Sequence, residues 1–125
     1  DVLAIHATRE NALQNSHAKS VLTYCGPVAA LKPTPFDFIL ANLLRTELEP
    51  VLPSLGNYLS PTGVLILGGL LKTDWVRISL LVERCGLLVH QRIFKSDTSG
   101  TVWMGLVLTL DSVTLEPYSG SSKPI

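Results

Sequence analysis

Phe36 to Asn42 reads Phe-Asp-Phe-Ile-Leu-Ala-Asn, almost continuously apolar after Asp37. A run without polar alternation suits a strand buried on both faces, as in a parallel sheet. Residues 44–59 follow, with Leu44, Leu48, Val51 or Leu52, Leu55 and Leu59 at helical spacing. Pro50 and Pro53 fall inside this stretch. An interior proline removes a helix hydrogen bond, so a kink or a late helix start is expected there. Residues 60–63, Ser-Pro-Thr-Gly, read as a turn, and residues 64–68 as another all-apolar strand. Strand, helix and strand in this order argue for an α/β sheet with parallel strands and crossover helices.

The flanking segments extend this order. Residues 71–85 form the clearest helix, with Leu71, Trp75, Ile78, Val82 and Cys85 in one stripe. Gly86 is its natural C-terminal stop. Residues 87–94 and 101–110 read as two strands joined by a polar loop at 95–100, a hairpin. Upstream, residues 3–15 read as a helix with Ile5, Ala12 and Leu13 on one side. Residues 21–25 read as a short strand, and Gly26, Pro27, Pro33 and Pro35 mark a loop. There are no internal repeats. From Asp111 the composition turns to Ser, Gly, Pro and Lys, so residues 111–125 are expected to be a flexible tail. The first turn is already helical at Asp1, from which a missing N-terminal portion is expected.

Composition narrows the function. Of 125 residues, 46 % are hydrophobic and 16 % charged, so a packed core is expected. Ten basic and ten acidic side chains cancel, leaving no electrostatic footprint for direct nucleic-acid binding. The longest apolar runs, such as 64–71, are too short to span a bilayer. No signal peptide is visible at the start. Cys25 and Cys85 sit far apart in apolar surroundings and read as two buried thiols. No Cys/His spacing suggests a metal site. His6, His17 and His90 are isolated, and no Ser/His/Asp arrangement is present, so no catalytic residue is assigned. Arg9 and Glu10 read as a solvated helix face. Trp75 and Trp103 read as packing residues, and Asp37 as structural.

Several motifs together resemble the PrmA family, class I S-adenosylmethionine-dependent enzymes that methylate large-subunit ribosomal protein eleven. The stretch Ala7-Thr8-Arg9-Glu10-Asn11-Ala12, with Asn15, is similar to the helix after that family's second strand. Phe36 to Leu44 resembles its fourth-strand motif, which ends in Ala-Asn-Ile-Leu. Pro61-Thr62-Gly63 stands for its Pro-Gly-Gly loop, and Leu67-Gly68-Gly69-Leu70-Leu71 for its Leu-Ser-Gly-Ile-Leu. Val102-Trp103, followed by Val107-Leu108, is similar to its closing strand. The joint order and spacing carry the resemblance.

The resemblance implies a Rossmann-like, mostly parallel class I sheet with a C-terminal antiparallel hairpin, lacking its first strands. Residues 1–110 would be the C-terminal part of the methyltransferase domain. It implies S-adenosylmethionine as cofactor and a ribosomal protein as substrate. It also implies a cytoplasmic location in a bacterium, or an organellar one in a eukaryote. In open α/β sheets the ligand lies beyond the carboxyl ends of the strands. Asn42 ends such a strand, and its amide offers donors and an acceptor. With the resemblance, Asn42 is assigned to cofactor binding rather than to capping the next helix. Cys25-Gly26 reads as an ordinary turn.

The chain also departs from the family. The Gly-rich loop has no counterpart, and the ribose-binding acid would lie just before Asp1. Val2 stands where the family has proline, and Arg45-Thr46-Glu47 replaces a small segment after Asn42. The strand at 21–25 would lack its neighbours in the sheet. Two other readings stay open: a non-catalytic methyltransferase-like remnant or interaction module, and a methyltransferase with another acceptor.

Overall fold

The computed structural model describes residues 1–111. The expected tail beyond residue 111 lies outside the described residues. The chain divides into two compact units, Asp1–Lys32 and Pro33–Ile125.

In the first unit, helix α1 spans Val2–Gln14. The Asp1 carboxylate accepts from the Leu3 N–H at 2.9 Å and caps its start. At the other end the Asn15 side chain donates to the Asn11 carbonyl at 2.8 Å. None of the residues of α1 is buried. The strand expected at 21–25 does not form: these residues join no ladder, and Leu22 is almost wholly exposed. Extended backbone becomes a strand only through a hydrogen-bonded neighbour, and the described residues supply none. Cys25 is exposed there, so it is not the buried thiol expected from its apolar context.

The second unit holds strand β1 (Phe36–Asn42), helices α2 (Arg45–Leu48) and α3 (Leu52–Leu55), β2 (Leu59–Leu71), α4 (Trp75–Arg84), β3 (Leu87–Ser96) and β4 (Val102–Leu110). The sheet order is β1-β2-β4-β3. β1 and β2 are parallel, and β4 runs antiparallel to both β2 and β3. Three strands therefore point one way and the fourth returns between two of them. This is the mostly parallel sheet with a closing hairpin that the resemblance implies.

The core lies on one face. Leu65 and Leu67 of β2 pair with Leu108 and Leu106 of β4, and all four are buried, as is Met104. Their spacing of two puts them on the same side. Leu48, Leu52, Leu55, Ile78 and Val82 from the helices are buried as well. β1 departs from expectation. It is an edge strand, and Phe38 and Leu40 are 69 % and 74 % exposed. Its apolar run is half covered: Ile39 and Ala41 pair with the buried Leu65 and Leu67 on the core side, while Phe38 and Leu40 point to the opposite face, where Ile66 of β2 is also exposed.

The proline-bearing segment breaks as expected. α2 ends at Leu48, the chain turns through Pro50, and α3 starts with Pro53 in its first turn, where no N–H is needed. Leu44 is exposed and leaves the predicted stripe, whereas Tyr58, not assigned to it, is buried. β2 starts earlier than expected, at Leu59. Phe36 pairs with Leu59 and Phe38 with Val64, so residues 60–63 loop out of register opposite Asp37. A Cβ on Gly63 would lie 2.8 Å from the Phe36 carbonyl oxygen, so this loop needs glycine. The Ser60 hydroxyl donates to Asp37 at 2.8 Å, which gives Asp37 the structural role expected of it. A short 3-10 turn, Lys72–Asp74, precedes α4, and the Asp74 carboxylate accepts from the Leu71 N–H at 2.9 Å. Gly86 stops α4 at φ +66°.

The one-sided core makes a direct contrast. Leu65→Ala is expected to cost about 2–5 kcal/mol, read as a lowered urea midpoint in circular dichroism. Leu40→Ala, on the open face, is expected to stay within about 0.5 kcal/mol.

Candidate functional site

Asn42 ends β1 beside two glycines of β2. It pairs with Gly68 in the parallel ladder, and the Leu43 N–H donates to the Gly68 carbonyl at 3.2 Å. The β2–β4 register then shifts between Leu67 and Leu70, so Gly68 and Gly69 form an irregularity opposite Gly105. Gly69 has φ +76°, and a Cβ there would lie 2.8 Å from the Leu43 carbonyl oxygen and 3.0 Å from Asn42 Oδ1. A Cβ on Gly68 would also come within 3.0 Å of Asn42 Oδ1. The two glycines thus leave the room that the Asn42 carboxamide occupies. Among the described residues nothing hydrogen-bonds that carboxamide. Nor does Asn42 cap the following helix. The residue at the start of α2 is Leu44, whose N–H donates to Glu47 Oε2 at 3.0 Å.

An open cavity of about 470 Å³ is lined by Asn42, Leu43, Leu44, Glu47, Gly69 and Trp103. Its volume falls in the range of small-molecule sites, roughly 300–1,000 Å³. Trp103 was expected to be a packing residue, but it lines this cavity and is 37 % exposed. Its sequence signal was the alternation of β4: Met104 points to the core, so Trp103 points to the opposite face. Gly69 and Glu47 carried no comparable signal. A functional reading of Gly68-Gly69 needs the knowledge that Asn42 lies across the ladder.

Asp97, in the β3–β4 turn, holds Trp103. Asp97 Oδ2 accepts from the indole Nε1–H at 2.9 Å. Asp97 Oδ1 accepts from the Ser99 N–H, the Ser99 hydroxyl and the Thr101 N–H at 2.9, 2.6 and 3.0 Å. The Ser99 hydroxyl, then the indole, draw its carboxyl down to about 2.

Beside the cavity, α2 is tied to the start of α4. Arg45 donates to Glu49 at 2.8 Å and to Asp74 at 3.0 Å, and Arg77 reaches the same Glu49 at 2.6 Å. The hydrogen bond from Arg45 holds the Glu49 carboxyl below its usual range, and the bond to Glu49 raises the Arg45 guanidinium. Arg45 and Glu47, which replace the family's small segment, are therefore engaged in local bonds.

The remaining polar residues stand apart from this cavity or outside its unit. Cys25 and Gly26 belong to the Asp1–Lys32 unit. His6 and His17 are exposed. His90 is half-buried, with Nε2 2.7 Å from the Thr109 hydroxyl. Burial pushes the Cys85 thiol up. Trp75, half-buried on α4, lies under the Arg92 guanidinium at 4.4 Å. No cluster of three metal-ligating side chains occurs among the described residues.

Comparison with known proteins gives the family. The model described as "Ribosomal protein L11 methyltransferase (PrmA)" matches residues 1–100, and the chain belongs to this family. The ribosomal protein L11 methyltransferase of Brucella abortus (strain S19) is 29 % identical over 113 residues, covering 87 % of this chain and 38 % of that protein. That of Chelativorans sp. (strain BNC1) is 39 % identical over 75 residues, covering 57 % of this chain and 26 % of that protein. The chain thus spans well under half the length of these relatives. Among solved structures, the ribosomal protein L11 methylase of Lactobacillus delbrueckii subsp. bulgaricus superposes with a TM-score of 0.72 at 23 % identity, over 84 % of this chain and 51 % of that one. The precorrin-6y C5,15-methyltransferase of Geobacter metallireducens gives 0.57 at 15 % identity, over 81 % of this chain and 59 % of that one. These likenesses show the fold, the open and mostly parallel sheet of class I methyltransferases.

Two measurements check the local geometry. Gly69→Ala is expected to destabilise the fold more than Gly86→Ala. Both positions have positive φ, but only Gly69 has backbone where a Cβ would go. Thermal melts of the two variants decide the order. The second concerns acid. Asp97 has a lowered carboxyl, so its stabilisation is present above the ordinary value of 3.8 and fades as pH falls toward about 2. The stability gap between the parent and Asp97→Asn is expected to be constant above about pH 5 and to close through that window.

Proposed function

We propose that this member of the PrmA family forms the part of an S-adenosylmethionine-dependent protein N-methyltransferase that bears Asn42, with ribosomal protein L11 as its acceptor. One observation carries the reading. A carboxamide with no partner among the described residues stands at the carboxyl end of a parallel strand, in a cavity that two glycines keep open. In open α/β sheets that end of the strand is where ligands bind. Family membership and the class I fold support the cofactor and the acceptor.

The cavity fits one end of an elongated polar ligand. Asn42 supplies a donor pair and an acceptor. Leu44 and Trp103 supply apolar walls, and Glu47 is already engaged by the Leu44 N–H. S-adenosylmethionine, when bound, supplies an electrophilic methyl group for in-line transfer to a neutral amine. The contribution of this chain is positional. Asn42 holds the polar end of the donor at the strand end, beside the apolar walls. Holding two reactants at attack distance accounts for much of the rate advantage in such a transfer. The same reading places the protein in the bacterial cytoplasm, or in an organelle of a eukaryote.

The test places residues 1–110 of this chain into the Brucella abortus relative, in place of its matching segment. The chimera is expected to bind S-adenosylmethionine in calorimetry and to pass labelled methyl to ribosomal protein L11. Asn42→Ala is expected to weaken donor binding about tenfold or more, roughly 1.4 kcal/mol. This chain by itself is expected to bind weakly or not at all. A folded chimera that shows no heat supports a non-catalytic module instead. Label on a different protein keeps the methyltransferase reading and removes the acceptor.

A further inference from the structure

Asp97 divides its work between its two carboxylate oxygens. Oδ1 takes the three loop donors, from Ser99 and Thr101, and closes the hairpin turn. Oδ2 takes only the Trp103 indole among the described residues. A turn-closing aspartate needs one oxygen for its local backbone bonds. The second bond reaches out of the turn, to a side chain six positions away that lines the Asn42 cavity. Trp103 lies on the face away from the core, where Ile66 and Ile93 are also exposed. A partly exposed indole on an open sheet face retains rotamer freedom unless a directed bond removes it. The Asp97 bond is such a constraint.

We propose that Asp97 is a positioning residue of the Asn42 cavity: its Oδ2 holds the Trp103 indole in place as the aromatic wall facing that carboxamide. The proposal rests on reading the cavity as a ligand site. The occupant it fits is flat or cationic at the wall, since an indole face stacks planar groups and attracts cations. A fixed wall lowers the ordering cost of binding, because the ring is already in its bound position. Asp97 itself does not line the cavity, so it acts through Trp103.

The protein has two tryptophans, so Trp75→Phe leaves Trp103 as the single reporter. In that background, ¹⁵N spectra follow the indole Nε1–H, and acrylamide quenching follows ring mobility. Asp97→Asn is expected to move the indole resonance and to raise the quenching constant about two-fold or more. The β3–β4 amide resonances serve as the check that the hairpin remains paired. Ser99→Ala, which removes a loop bond but leaves Oδ2, is expected to leave the indole unmoved. An indole unaffected by Asp97→Asn, or displaced equally by Ser99→Ala, overturns the proposal. If Asp97→Asn unpairs the hairpin, the Ser99→Ala result decides: a displaced indole overturns the proposal and an unmoved one supports it.

S-adenosylmethionine, added to the same variants of the chimera with the Brucella abortus relative, addresses the site separately. The expected result is a shift of the indole resonance that Asp97→Asn and Asn42→Ala each reduce several-fold. No shift in any sample counts against the cofactor reading of the cavity and leaves the Asp97–Trp103 result standing. A full-size shift in Asp97→Asn overturns the positioning role.

Discussion

The parallel pairing of β1 with β2 is the constraint on which the rest of the structure depends. It sets Asn42 beside Gly68, and it fixes which residues of β1 share the core face with Leu65 and Leu67. Parallel strands cannot be joined by a tight turn, so the chain must cross over through a helical segment. The broken helix α2–α3 makes that crossover, and its buried leucines cover the same face of the sheet that β2 and β4 present. Had the pairing slipped by one residue, the apolar set of β1 would change faces, and Asn42 would leave the cavity.

This constraint also explains why the carboxamide and the glycines belong together. A regular β2 with side chains at positions 68 and 69 would place a Cβ within 3.0 Å of Asn42 Oδ1. The irregularity at Gly68-Gly69 removes both and turns the strand through a positive φ. The hairpin then brings Trp103 to the same opening. The cavity is thus a by-product of sheet geometry at one end of two strands, and the residues around it come from β1, β2, α2 and β4.

Much of this was legible in the sequence because its causes are local. The apolar run of Phe36–Asn42, the Ile78 and Val82 stripe and the Gly86 stop each follow from neighbouring residues, and the structure forms them. The break near Pro50 and Pro53 follows from the missing N–H of proline. What escaped depends on partners far along the chain. Phe38 and Leu40 read as buried on both faces, yet they share with Ile66 a sheet face that stays exposed among the described residues, and what covers a face is set by the whole sheet. Residues 21–25 have strand composition but no ladder partner. Asn42 was singled out from its place at a strand end and from family resemblance. Trp103 read as packing because its cavity neighbours lie up to 61 positions away, at Asn42.

The central claim is that the opening between Asn42 and Trp103 receives the methyl donor. The most direct measurement is a nuclear Overhauser experiment on the chimeric enzyme, with ¹³C-methyl-labelled S-adenosylmethionine and ¹⁵N-labelled side chains. The account predicts cross-peaks from donor protons to the Asn42 Nδ2 protons and to the Trp103 ring. Cross-peaks from a bound donor to α4 or to the far end of β1, with none to Asn42, would contradict it.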